Sequence, residues 1–167
     1  MKKLLMAAIG LMMALGASAQ NAGESGTPFS AGKFYASASA SGVNLNYNKS
    51  QDWRLGLHAT GGYLFEDNWM ITANVGFDFR KADSNSLTAG AGLRYYIENN
   101  GLYVGAGANY RHERSYDDFM PTVSLGYCYF LNRTVTFEPE VYYNQSLKNH
   151  SEYSGFGIRL GIGIYFE

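Results

Sequence analysis

Hydrophobic and other residues alternate with a period of two from Phe34 to the end of the chain, and the last stretch shows the pattern most completely. Phe156, Ile158, Leu160, Ile162, Ile164 and Phe166 fall on one face of a strand, and Gly155, Gly157, Arg159, Gly161, Gly163 and Tyr165 on the other. A soluble sandwich would bury the apolar face and cover the opposite one with Thr, Lys or Glu, not with a row of glycines. Glycine weakens a strand, so its repetition requires a reason. A small closed barrel provides one. Its lumen is tight, so Arg159 and Tyr165 need small neighbours, while its outer face can be apolar where lipid surrounds it.

Seven further segments carry the same alternation, which predicts eight strands. The first, 34 to 47, keeps Phe34, Ala36, Ala38 and Ala40 in phase with Val43, Leu45 and Tyr47 only if one residue is skipped, so a bulge is expected near Ser41 and Gly42. The others are expected at 53 to 65, 69 to 80, 86 to 97, 102 to 113, 119 to 130, 134 to 145 and 155 to 166. Pro121 and Pro139 cannot donate to a ladder and mark two weak points in the wall. The connections 66 to 68, 98 to 101 and 131 to 133 are short. Those at 48 to 52, 81 to 85, 114 to 118 and 146 to 154 are longer, as in barrels with tight periplasmic turns and external loops. A tilted strand climbs roughly 2.5 Å per residue, so ten to twelve residues cross an apolar band of about 25 Å.

Outward aromatic residues gather at the strand ends. Phe65, Trp69, Tyr95, Tyr127, Tyr129 and Phe166 fall near the turns, and Tyr47, Trp53, Phe79, Tyr110, Phe119 and Phe156 near the loops, with Ala, Val, Leu and Ile between them. Two aromatic girdles around an aliphatic belt suit a bilayer and have no purpose in a soluble ligand-binding barrel. The expected fold is all-β, an eight-stranded antiparallel up-and-down transmembrane β-barrel.

Lys2 and Lys3, the apolar run from Leu4 to Leu15 and the small residues Ala17-Ser18-Ala19 read as a signal peptide cleaved after Ala19, Ala17 and Ala19 being the recognition positions. The expected organisation is a signal peptide at 1–19, a flexible segment without periodicity at 20–33 and a barrel at 34–167. No other apolar run approaches the roughly 18 residues of a membrane helix. Without Lys2 and Lys3 the chain has 11 basic against 14 acidic residues, a balance that excludes nucleic acid as an expected partner. Cys128 is the only cysteine, so no intramolecular disulfide can form; its phase places it inside, near one barrel end.

Arg159, Gly161, Ile164 and Phe166 resemble the polar, glycine, hydrophobic and aromatic positions of the closing motif of bacterial outer-membrane barrels, although Glu167 follows the aromatic residue that usually ends the chain. Over about 34 to 166 the sequence resembles the small OmpA/OmpX-type barrels, including barrel-domain proteins of Bacteroidetes-like envelopes. The resemblance implies residence in the outer membrane and an assembly signal read by the barrel-assembly machinery. It also implies handling by periplasmic chaperones, contact with membrane lipids and lipopolysaccharide, and a monomeric state.

Inside an eight-stranded barrel, side chains fill the lumen. Arg94, Glu138, Glu140 and Arg159 fall at similar heights and are expected to form a central ion-pair network, because a buried carboxylate without a partner costs several kcal/mol. Asp78, Arg80, Arg111 and Glu113 are expected to form an upper cluster. Such an interior predicts a closed barrel with a structural or surface-interaction role; a narrow channel for small polar solutes and loop-mediated adhesion are the alternatives. No catalytic function is expected: His150-Ser151-Glu152 are consecutive in a loop and cannot converge as a triad, and His58 reads as a packed histidine. His58, His112 and His150 are too scattered to ligate a metal, and no cofactor is expected. The polar loops, with Lys49, Lys81, Arg114 and Lys148, are candidates for a surface partner or for lipopolysaccharide phosphates.

Overall fold

The computed structural model describes residues 28–44, 54–80, 86–97, 100–113, 116–148 and 154–167, with the backbone alone at 42–44, 54, 55, 79, 80, 113 and 116. The signal-peptide reading, with Ala17 and Ala19, lies outside the described residues.

Nine strands occur among the described residues: β1 (Phe34–Asn44), β2 (Arg54–Glu66), β3 (Trp69–Arg80), β4 (Ser86–Tyr96), β5 (Leu102–Glu113), β6 (Tyr116–Tyr127), β7 (Tyr129–Phe130), β8 (Val135–Asn144) and β9 (Gly155–Phe166). Each of β1 to β5 pairs antiparallel with the next, β9 joins β1 to β8, and β8 pairs with both β6 and β7. The sheet therefore closes on itself. Because β6 and β7 are two parts of one wall element, the architecture is the expected eight-stranded antiparallel barrel. Among the described residues no helix is long and apolar enough to cross a membrane, so crossing rests on strands.

The period-two pattern sorts side chains as a barrel requires. Leu57, Ile71, Val75, Phe77, Val123, Leu160 and Ile162 are exposed on the outer wall, while Tyr35, Met70, Tyr96, Tyr103 and Tyr165 are buried inside. The bulge lies where the phase change puts it, between Ser41 and Val43 in the ladder from β1 to β9. Pro139 also has the expected effect. The ladder between β8 and the β6–β7 element runs from Thr122↔Asn144 to Gly126↔Glu140, lapses, and resumes in the same register at Tyr129↔Phe137. Tyr127 and Cys128 fall in the lapse, Tyr127 opposite Pro139, which has no N–H to offer. Pro121 shifts no register with β5, where it pairs with Ala108, but the ladder to β8 begins only at Thr122.

Three local expectations are corrected. The connection after β5 is not a long loop: β6 begins at Tyr116, which pairs with Glu113, because the acidic residues read as loop are satisfied within the ladder. Asp117 faces its register partner His112 at 2.6 Å, and Asp118 points inward and accepts a hydrogen bond from Ser146. Tyr127 does not belong to the exposed girdle; it is buried beside the Pro139 lapse, its ring close to Gly101. Finally, the end of the segment read as flexible is packed: Phe29 is buried and stacks on Tyr96 with ring centroids 4.0 Å apart.

Candidate functional site

The lumen holds the concentration of buried charge. Arg94 on β4 reaches across to β8, whose Glu138 and Glu140 are two residues apart and so point to the same side of the wall. Arg94 Nη1 lies 3.1 Å from Glu138 Oε2, and Nη2 lies 3.5 Å from Glu140 Oε2. The second oxygen of Glu140 accepts from Arg159 Nη1 at 3.0 Å, across the register pair Glu140↔Arg159. Two cations and two carboxylates thus alternate through the centre of the barrel, and the four residues grouped by strand phase and height lie together.

Hydroxyl groups surround the two carboxylates. Tyr35 donates to Glu138 Oε2 at 2.6 Å, Thr136 to Glu138 Oε1 at 2.7 Å and Tyr103 to Glu140 Oε2 at 2.9 Å. The Arg94 guanidinium lies 4.2 Å from the Tyr103 ring centroid, and that of Arg159 lies 4.7 Å from the Tyr142 centroid. Charges removed from water need this complement of hydrogen bonds, because Coulomb attraction alone does not offset desolvation.

Strand phase does not single out Tyr35, Tyr103, Tyr142 and Thr136, although a signal exists in the cross-strand pairs. Tyr103 is the register partner of Gly126 and Tyr142 that of Gly157; a Cβ on either glycine would collide with the partner's phenol ring. Each of these inward tyrosines lies flat across a glycine on the next strand. The glycine-rich inner face of β9 therefore supplies ring-sized space.

The upper lumen is looser. Asp78 accepts from Ser86 Oγ at 3.3 Å, and Ser86 Oγ accepts from Arg111 Nη2 at 2.9 Å. Asp78 and Arg111 are thus joined through a serine; the side chains of Arg80 and Glu113 lie outside the described residues. Asp118, which sequence reading assigned to a loop, is buried here with Ser146. A polar belt of Asn74, Asn109, Thr122 and Asn144 crosses the lumen with contacts of 3.2, 2.8 and 2.8 Å. Beside it lies a cavity of about 60 Å³ bordered by Asn74, Arg94, Asn109, Glu140 and Arg159, a polar space large enough for water.

A serine and an aspartate lie near His58, but not in the geometry of a catalytic relay. Ser41 Oγ is 3.2 Å from Nε2 and Asp78 Oδ1 is 3.9 Å from the same Nε2, whereas a relay needs hydroxyl and acid on opposite ring nitrogens. Nδ1 instead lies against Gly76, where an added Cβ would strike it. The three residues form no relay. Among the described residues no group of three or more His, Cys, Asp or Glu side chains could hold a metal ion. His150-Ser151-Glu152, Lys49, Lys81 and Arg114 lie outside the described residues; Lys148 is exposed, its backbone N–H given to Asp118 at 3.3 Å. Of the closing motif, Arg159 enters the central network, Gly161 pairs with Ser39, and Ile164 and Phe166 are exposed on the outer wall.

A closed antiparallel barrel with an apolar exterior and a charged, filled interior is the architecture of integral outer-membrane proteins. The family model for the outer membrane protein beta-barrel domain matches residues 7–167, and the chain belongs to that family. It is an integral β-barrel protein of the bacterial outer membrane. Among solved structures it is similar to the N-terminal β-barrel domain of OprF from Pseudomonas aeruginosa, with 14% identity and a TM-score of 0.66 over 81% of this chain and 98% of that one. Neisserial surface protein A is similar at 14% identity and a TM-score of 0.60, over 80% and 96% of the two chains. The Yersinia pestis outer membrane protein Ail is similar at 12% and 0.58, over 81% and 99%. These likenesses concern the fold. No curated protein matches the chain.

Proposed function

We propose that this protein is a monomeric, non-enzymatic barrel with a closed lumen, whose role in the outer membrane is structural or one of surface interaction. The observation that carries the reading is the Arg94 guanidinium held between Glu138 and Glu140, with Arg159 on the far side of Glu140. A solute would have to separate paired, largely buried charges, at a cost of several kcal/mol. The reading includes export by cleavage after Ala19, recognition of Arg159, Gly161, Ile164 and Phe166 by the assembly machinery, and lipid and lipopolysaccharide as surroundings. Reconstitution in planar bilayers tests it. The expected result is no sustained conductance; steady, ion-selective steps would make the lumen a narrow channel.

A further inference from the structure

The central network blocks the lumen at mid-height, and a second obstruction of different construction lies at the end carrying the short turns. Residues 28–33 fold over that mouth. Their backbone is tied to β2 and to the turn after it: Gly32 N–H donates to Leu64 O at 2.7 Å, Leu64 N–H to Lys33 O at 2.9 Å and Asn68 N–H to Phe29 O at 2.8 Å. Ala31 N–H adds a bond to the Asp67 carboxylate at 2.8 Å. Gly32, at φ +93°, reverses the chain so that the segment returns into β1. Pro28, Ala31 and Gly32 stay exposed, and Phe29 alone is driven into the barrel, 2% exposed.

The Phe29 ring occupies a cup that other contacts build. It stacks on Tyr96 at 4.0 Å and 11°, meets Tyr165 edge-on at 5.8 Å and 72°, and lies 5.7 Å from Phe130. The cup walls are fixed from behind: Tyr96 and Tyr165 share a hydroxyl contact of 2.9 Å, and Tyr35 is held by Glu138. None of these ties passes through Phe29. Aromatic walls held by contacts that do not involve Phe29 suit a ring, as stacked and edge-on pairs both favour.

We infer that the mouth at the short-turn end of the barrel is an aromatic-binding cup, and that residues 28–33 are its resident ligand in cis, a tethered stopper anchored by the Phe29 ring. Withdrawing one side chain would open the cup without disturbing a wall strand or the central ion pairs. The ligand class is a small aromatic molecule, or an aromatic side chain on an extended segment able to accept from Asn68 N–H. The inference is independent of whether the central network conducts.

Cys128 reports on the cup. It is the chain's only cysteine, 1% exposed, part of the same buried cluster as Phe29, and 3.5 Å from the Tyr165 hydroxyl. In the refolded full chain it should react slowly with a charged thiosulfonate reagent. Phe29→Ala should retain the heat-modifiable mobility of a folded barrel and react at least about ten-fold faster, because the protecting contact is local rather than global. Saturating p-cresol should return that rate toward the parent value, as small aromatics fill cavities left by a deleted ring. A labelling rate within about twofold of the parent in a folded Phe29→Ala barrel, or fast labelling unaffected by p-cresol, would overturn the proposal. Should Phe29→Ala fail to fold, Asp67→Ala decides: it frees Ala31 N–H and leaves every cup residue in place. Faster labelling of Cys128 in it supports the stopper, and an unchanged rate overturns it.

Discussion

The middle of the lumen and its upper part contain the same residue types and treat them differently. Around Arg94 both carboxylates are nearly inaccessible, both are ion-paired, and each also accepts from a tyrosine. Around Asp78 the carboxylate keeps 16% side-chain exposure, lies 3.9 Å from the His58 imidazole, and has a contact with Ser86 that is 3.3 Å long. The difference comes from the rings. Tyr35 and Tyr103 cover the middle and donate to its carboxylates, and the Tyr142 ring lies over Arg159, whereas Asn, Ser and Thr line the upper part; a water-sized cavity lies between the two, bordered by Asn74 and Asn109 as well as by Arg94, Glu140 and Arg159. The seal of a small barrel therefore depends less on how many charges it contains than on whether hydrocarbon surrounds them.

The comparison can be broken from its strong end. Arg94→Leu leaves Glu138 and Glu140 buried without their shared cation, and should cost about 3–5 kcal/mol of stability, read by urea titration of the barrel in lipid vesicles. A smaller loss is expected from Gly126→Ala. The new methyl would occupy space held by the Tyr103 ring, so the ring must leave Arg94 and Glu140, at about 1–3 kcal/mol in the same titration. If Gly126→Ala were neutral, the ring shell would not be what distinguishes the two regions. The smallest effect belongs to the upper cluster: Asp78→Asn keeps the shape and the contact with Ser86 and should change stability by less than about 1 kcal/mol. A loss there as large as that for Arg94→Leu would erase the contrast.

Much of this was legible in the sequence, for a definite reason. A strand has one degree of freedom in side-chain direction, so alternation reveals which of two faces a residue occupies, and counting from turns reveals its height. That is enough to bring Arg94, Glu138, Glu140 and Arg159 together from three strands. It does not reveal reach. Tyr103 and Tyr142 face inward by phase, but the way each ring lies over a guanidinium depends on a glycine opposite it, a relation between strands that a single-strand reading does not see. Tyr127 shows the reverse: its alternation is regular, but the lapse in pairing at Pro139 leaves it covered. Phe29 has no periodic neighbours at all, so no phase could assign it to the barrel. Tyr116, Asp117 and Asp118 read as loop because charge suggests solvent, yet the ladder continues through them, one acid facing His112 outside and the next bonded to Ser146 within.

The paired rings and glycines have a consequence for how such an interior can vary. Tyr103 over Gly126 and Tyr142 over Gly157 each divide one row of the lumen between a large residue and an absent one, so the volume of the row depends on both members together. Neither partner can drift alone: enlarging the glycine displaces a ring, and shrinking the tyrosine opens a hole beside a buried charge. Each pair is sterically coupled, and a barrel carrying the exchanged pair, Tyr103→Gly with Gly126→Tyr, would fill the same row from the opposite strand.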